Sequence, residues 1–205
     1  MAKEHNLQIP SPIVNSYITS ETFIWSAWNF IMPIFAIYVT SFKGGTVDVA
    51  AIAYSIHLVT RVIFELLSGK YLTRKSLAYK LLFTVFGVTV ISISYVGLAY
   101  SQLIPQLYLF FAMIGMGIGI ASPAKNSMFS SNLDPNKSTS QWGYLDASVF
   151  LSMALASVIG GFVARVYGFD ALFIVASVVN MLGLIPYLLY VKRWRKSIEE
   201  TLLSD

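Results

Sequence analysis

Residues 104–124 read IPQLYLFFAMIGMGIGIASPA, 21 consecutive positions without a charged side chain. Wound as a helix at about 1.5 Å per residue, such a run is roughly 31 Å long, the thickness of a bilayer's hydrocarbon core. A barrel strand would be about 10 residues and would alternate polar with apolar positions, which this run does not.

Five further stretches have the same character: residues 17–42, 47–72, 78–100, 147–167 and 171–191. Turn or charge signals separate the six: Lys43-Gly44-Gly45, Thr73-Arg74-Lys75, Pro105, Asp134-Pro135-Asn136-Lys137 and Gly168. The composition agrees, with 56% hydrophobic and 12% charged residues, where a soluble domain carries about 25% charged. The expectation is an all-α membrane protein, residues 1–205 forming one domain of six transmembrane helices, with a cytoplasmic loop at 125–146. Residues 1–16 are polar and hold Pro10 and Pro12, so the first apolar stretch is read as a retained helix and not as a signal peptide.

The chain has no cysteine, which excludes disulfides and thiolate chemistry. It offers no nucleophile–base pair, no metal-ligand spacing and no phosphate loop. Neither a cofactor nor a metal is expected, nor an enzyme, nor a nucleic-acid partner. Trp194, among Lys192, Arg193, Arg195 and Lys196, reads as an interfacial anchor.

Lysine and arginine set the orientation. The N-terminus, the links after the second and fourth stretches, and the C-terminus hold Lys3, Lys70, Arg74, Lys75, Lys80, Lys125, Lys137, Lys192, Arg193, Arg195 and Lys196; the other side holds only Lys43 and Arg165. Both ends are therefore expected in the cytoplasm, in a cell (inner or plasma) membrane. The longest link divides the helices three and three, so the triplets run in opposite senses, as in a 3+3 inverted repeat.

Charges in lipid are costly and mark helices that face protein or water. The third and sixth stretches hold none beyond Lys80 and are expected to face lipid. The second carries His57, Arg61, Glu65 and Gly69, four apart and so on one helix face. This stripe reads as an anion-binding or proton-coupling device, or as a buried pair locking helices together. The first brings Trp25, Trp28 and Asn29 before Pro33, a bend beside a cavity or plain packing. Glu21, near the cytoplasmic end, reads as a solvated or capped carboxylate. Gly117, Gly160 and Gly161 read as places of close helix approach.

These features, in order, resemble the major facilitator superfamily of secondary transporters, and specifically one six-helix half like the N-terminal half of drug-efflux-like members. Met32 to Val39 resembles the proline-containing end of that family's first helix. Gly69, Arg74 and Lys75 match its gating-loop motif, with Thr73 at the aspartate position and Ser76 at the second glycine position. Gly115 to Ala124 with Leu133-Asp134-Pro135, and Ser152, Ala156, Ser157, Gly160 and Gly161, resemble its fourth and fifth helices. The resemblance implies a small-molecule secondary transporter working by alternating access, here as a parallel homodimer, with proton coupling open. On that reading Trp25, Trp28, Asn29, Asn126 and Arg61 bind substrate, and Glu65, His57 and Asp146 couple it to protons. The rival reading is a non-transporting membrane subunit that pairs with a full-length partner. A weaker one is a lipid-modifying enzyme using Glu21 and Asp146.

Overall fold

In the computed structural model, which describes residues 12–42 and 44–189, every regular element is helical. α1 (Pro12–Ile31) passes through a 3₁₀ turn (Met32–Ile34) into the short α2 (Phe35–Thr40). Pro33 has no N–H to donate and its ring clashes with the preceding turn, so the helix tightens there. α3 (Val47–Leu72) starts on Thr46, whose hydroxyl caps the Val49 amide at 3.4 Å, and carries Asp48 in its first turn. α4 (Leu77–Ala99) and α5 (Ile104–Ser130) follow; Pro105 opens α5, and Gln106 Oε1 accepts the amides of Gln102 and Leu103. α6 (Ser138–Leu182) is the longest. Lys43 and residues 190–191, placed by the sequence in an outer turn and the last span, lie outside the described residues, as do Lys3 and the basic tail.

Among the described residues, five helical stretches are long and apolar enough to cross a membrane, against the six read from the sequence, because the fifth, Ser138–Leu189, runs 52 residues straight through Gly168. The backbone at Gly168 is not helical, with φ +84° and ψ 172°, a conformation open in practice only to glycine. Contacts give the direction of the two arms. Ser152 donates to the Thr22 carbonyl and Gly160 lies against Phe30, so the first arm runs alongside α1 in the same sense. Beyond Gly168, Phe173 meets the Tyr38 ring, while Gly183 lies against Ile24 and accepts the Ser20 hydroxyl, so the second arm returns in the opposite sense.

The link between α5 and α6 is shorter than the expected 125–146 loop, since helix continues to Ser130 and resumes at Ser138. Asp134 Oδ1 accepts the Asn136 amide and Gln141 Oε1 accepts the Asp134 amide, which close this turn.

Burial differs from the charge-based expectation. Half of α4's apolar window is enclosed by the bundle, but only 17% of α3's. Val88, Ile91, Tyr95 and Leu98 of α4 are core residues, whereas Leu58, Val59, Val62, Ile63, Leu66 and Leu67 of α3 are exposed. Polarity was a poor guide because α4 is held by small groups. Gly87 meets the backbone of α5 at Gly117, and Ser92 and Ser177 exchange hydroxyl-to-carbonyl bonds with the second arm of α6.

α3 packs most closely on α5, and also meets α1 through His57 on Trp28 and α4 through Tyr71 on Phe83. A methyl at Gly119 would sit 2.6 Å from the Arg61 carbonyl oxygen, and Gly115 lies against the His57 carbonyl in the same way. The two backbones are therefore in contact, and α3 and α5 run in the same sense. Gly160 matches this on α6, where an added Cβ would be 2.7 Å from the Phe30 Cα. Gly161, expected to pack likewise, faces open space.

Candidate functional site

The most unusual group of side chains in the bundle is an ion pair. Glu21 on α1 and Lys125 on α5 are 5% and 6% exposed, and Lys125 Nζ donates to Glu21 Oε1 at 2.7 Å. Tyr187 Oη donates to the same oxygen at 3.3 Å, and Trp25 Nε1, one turn along α1, donates to Oε2 at 3.2 Å. Next to it, Tyr17 Oη donates to Asn126 Oδ1 at 3.1 Å while its ring stacks on Phe129. Removing two ions from water costs several kcal/mol each, and only close geometry with further hydrogen bonds offsets it. Three donors around one carboxylate supply that geometry.

Both partners correct the sequence reading. Glu21 is not solvated, and Lys125 is not in a loop, because α5 continues past it. A helical-period reading could have found both. Val14, Tyr17, Glu21, Ile24 and Ala27 fall three or four apart and are all buried, as are Ile114, Gly117, Ala121, Lys125 and Met128. Each ion sits on the buried stripe of its helix.

Beside the pair is a narrow cleft with room for about one water. Trp25, Trp28, Tyr95, Ser122, Lys125 and Asn180 are among its walls, drawn from α1, α4, α5 and the second arm of α6. The structure thus brings together Trp25 and Trp28 of the predicted set, and adds Lys125, Tyr95 and Asn180, which the sequence reading did not single out for binding.

The remaining predicted residues are elsewhere. Asn29 Nδ2 donates to the Trp25 carbonyl of its own helix at 3.1 Å. Asn126 is exposed apart from its bond to Tyr17, and Asp146 is exposed on the first arm of α6. On α3 the stripe divides. His57 is buried, stacked on Trp28 with ring centres 4.8 Å apart and edge-on to Phe111, and its Nδ1 has no partner among the described residues. Arg61 Nε meets Glu65 Oε2 at 3.2 Å, but these side chains are 29% and 37% exposed, on the open side of α3. A Cβ added at Gly69 would sit 3.7 Å from the Pro123 ring. Arg74 is exposed, and Lys75 Nζ sits over the rings of Tyr71 and Tyr79 at 4.8 and 5.2 Å, facing no carboxylate among the described residues.

Long apolar helices crossing one another around a buried ion pair define a multi-pass membrane protein. The sequence places it further: residues 18–202 match the family model of the Major Facilitator Superfamily, and the chain belongs to that family. That family is one of transport proteins. The fold is similar to the in meso crystal structure of the POT family transporter PepTSo, with a TM-score of 0.76 at 16% sequence identity. That match covers 91% of this chain and 38% of the other, so the chain spans well under half the length of that transporter. No curated protein matches the chain.

Proposed function

We propose that this chain is a six-crossing unit of a secondary transporter for a small molecule, working by alternating access. The carrying observation is the buried Glu21–Lys125 pair beside a cleft reached by Trp25 and Trp28. Ionisable groups inside a membrane bundle are expensive and are characteristic of substrate and ion pathways. Counting the two arms of α6 on either side of Gly168 as separate crossings makes six helices. Both ends are then cytoplasmic, and the triplets run in opposite senses as a 3+3 inverted repeat. Family membership and the likeness to a solved transporter support this reading.

Alternating access needs a second unit against which the first can rock. The exposed apolar side of α3, with Leu58, Val62, Ile63 and Leu66, and that of the first α6 arm, with Leu151, Leu155, Val158 and Phe162, are the surfaces available for it. We assign that place to a second, parallel copy, with the Arg61–Glu65 pair at the contact. Native mass spectrometry from lipid nanodiscs tests the assembly, with a dimer expected. Proteoliposome uptake across a panel of small organic solutes tests the activity, and loss of all uptake in Glu21→Gln/Lys125→Gln is expected. A strict monomer would remove the homodimer. Uptake unaltered in that double variant would remove the assigned site.

A further inference from the structure

Away from the ion pair, α3, α4 and α5 frame a groove on the outside of the bundle. Leu67 and Tyr71 of α3 and Phe83 and Phe86 of α4 form its walls, and Ile120 of α5 its floor. Its volume is about 510 Å³, inside the roughly 300–1,000 Å³ of ligand pockets. The lining is almost wholly hydrocarbon. Ser68 borders it too, but its hydroxyl is committed to the Gly119 carbonyl at 2.8 Å. Leu67, Tyr71 and Phe86 are exposed, so the groove opens sideways, where the membrane lies.

One end of the groove is charged. The Tyr71 ring stacks on Phe83 with centres 5.4 Å apart. Lys75, four residues on, holds its Nζ 4.8 Å from the centre of the Tyr71 ring and 5.2 Å from that of Tyr79. The two ring faces attract the ammonium and fix its place, but a ring face neutralises no charge. Lys75 makes no ion pair among the described residues, and its neighbour Arg74 is exposed. A hydrocarbon trough ending at an unpaired, positioned cation complements an anionic amphiphile.

We infer that the groove holds an acyl chain of an anionic phospholipid, with the phosphate at Lys75 and the chain running past Tyr71 and Phe83 toward Phe86. A second copy of the chain fits less well. The stripe assigned to it, Leu58, Val62 and Leu66, falls on the opposite face of α3 from Phe64, Leu67 and Tyr71 by the 3.6-residue period. A protein segment would also bring polar groups that this lining does not answer, whereas an acyl chain brings none. The inference rests on the chain spanning a bilayer and not on the transport reading.

The test is native mass spectrometry of the full chain released from nanodiscs of equal phosphatidylglycerol and phosphatidylcholine with identical acyl chains. Retained phosphatidylglycerol is expected to exceed phosphatidylcholine about fivefold, the effect of one lysine at an anionic headgroup. Lys75→Gln should bring the two to parity. Arg165→Gln, which removes the same charge from the first arm of α6, should leave the preference intact. Leu67→Trp fills the groove from an exposed wall and should remove one retained lipid; Leu82→Trp does so from the other wall, should the first variant fail to elute as a single folded species. Equal retention of the two lipids by the unaltered protein overturns the inference. So does a preference that survives Lys75→Gln, or one that falls as far in Arg165→Gln. An unchanged lipid count in both tryptophan variants also overturns it, and loss of a dimer in those variants would then give the groove to a second copy.

Discussion

The Glu21–Lys125 pair makes a prediction with a definite shape. Lys125→Met leaves the carboxylate 5% exposed with only Tyr187 and Trp25 to stabilise it, and removing one partner of a buried pair costs about 3 kcal/mol or more. Glu21→Gln strands the lysine at a similar cost. The double variant Glu21→Gln/Lys125→Met strands no charge, because the amide oxygen introduced in place of the carboxylate would still accept from Tyr187 or Trp25 and methionine fills the lysine stem's volume. Its loss should be no greater than that of either single variant. The two single losses therefore exceed the double by about 3 kcal/mol, the upper range of coupling between contacting residues. The assay is unfolding in mixed micelles of rising SDS fraction, followed by tryptophan emission, to which Trp25 contributes through its bond to Glu21. Losses that add to within about 0.5 kcal/mol would show that these side chains do not interact in the folded protein, and the assigned site would fall with them.

Three other outcomes are expected. Gly160→Ala should lose about 1–3 kcal/mol in the same unfolding assay, because α6 must move off Phe30 of α1, whereas the adjacent Gly161→Ala should stay within about 0.5 kcal/mol; equal effects would refute the register of α6 on α1. Gly168→Ala forces a Cβ onto φ +84° and should lose about 1–3 kcal/mol with no packing change nearby; an unaffected unfolding curve would mean the two arms are not joined by this conformation. Glu65→Gln should leave stability within about 1 kcal/mol, since its partly exposed pair with Arg61 is weak. If Glu65 couples transport to protons, the same change should make uptake indifferent to pH, and an unaltered pH profile would exclude it.

The helical plan was legible because lipid imposes a simple rule of length and apolarity, which residues 104–124 satisfy without exception. α3 begins and ends where the sequence placed it, at Val47 and Leu72. The site was less legible, and for a specific reason. Counting lysines and arginines by loop assigns each an address along the chain, and Lys125 received a cytoplasmic one. Its burial follows from its phase on α5, which a count by segment discards. The same count marked α3 as interior for carrying Arg61 and Glu65, although their pairing at one turn's spacing lets them lie on an open face. In the sequence Asn180 is only one polar residue in an apolar stretch. Its Nδ2 donates to Val88 and Ser92, about 90 positions away, and no local pattern carries that.

The seam between α3 and α5 has a mechanical consequence. At Gly115 and Gly119 the two backbones touch with no side chain between them. Motion between packed helices ordinarily proceeds by small slides absorbed in side-chain rotamers, and here there are no rotamers to absorb it. The two helices form a stiff double beam, with the glycine contacts as its weld. Displacement imposed on the outer leucines of α3 is handed undiminished to α5, and so to Lys125 near its far end.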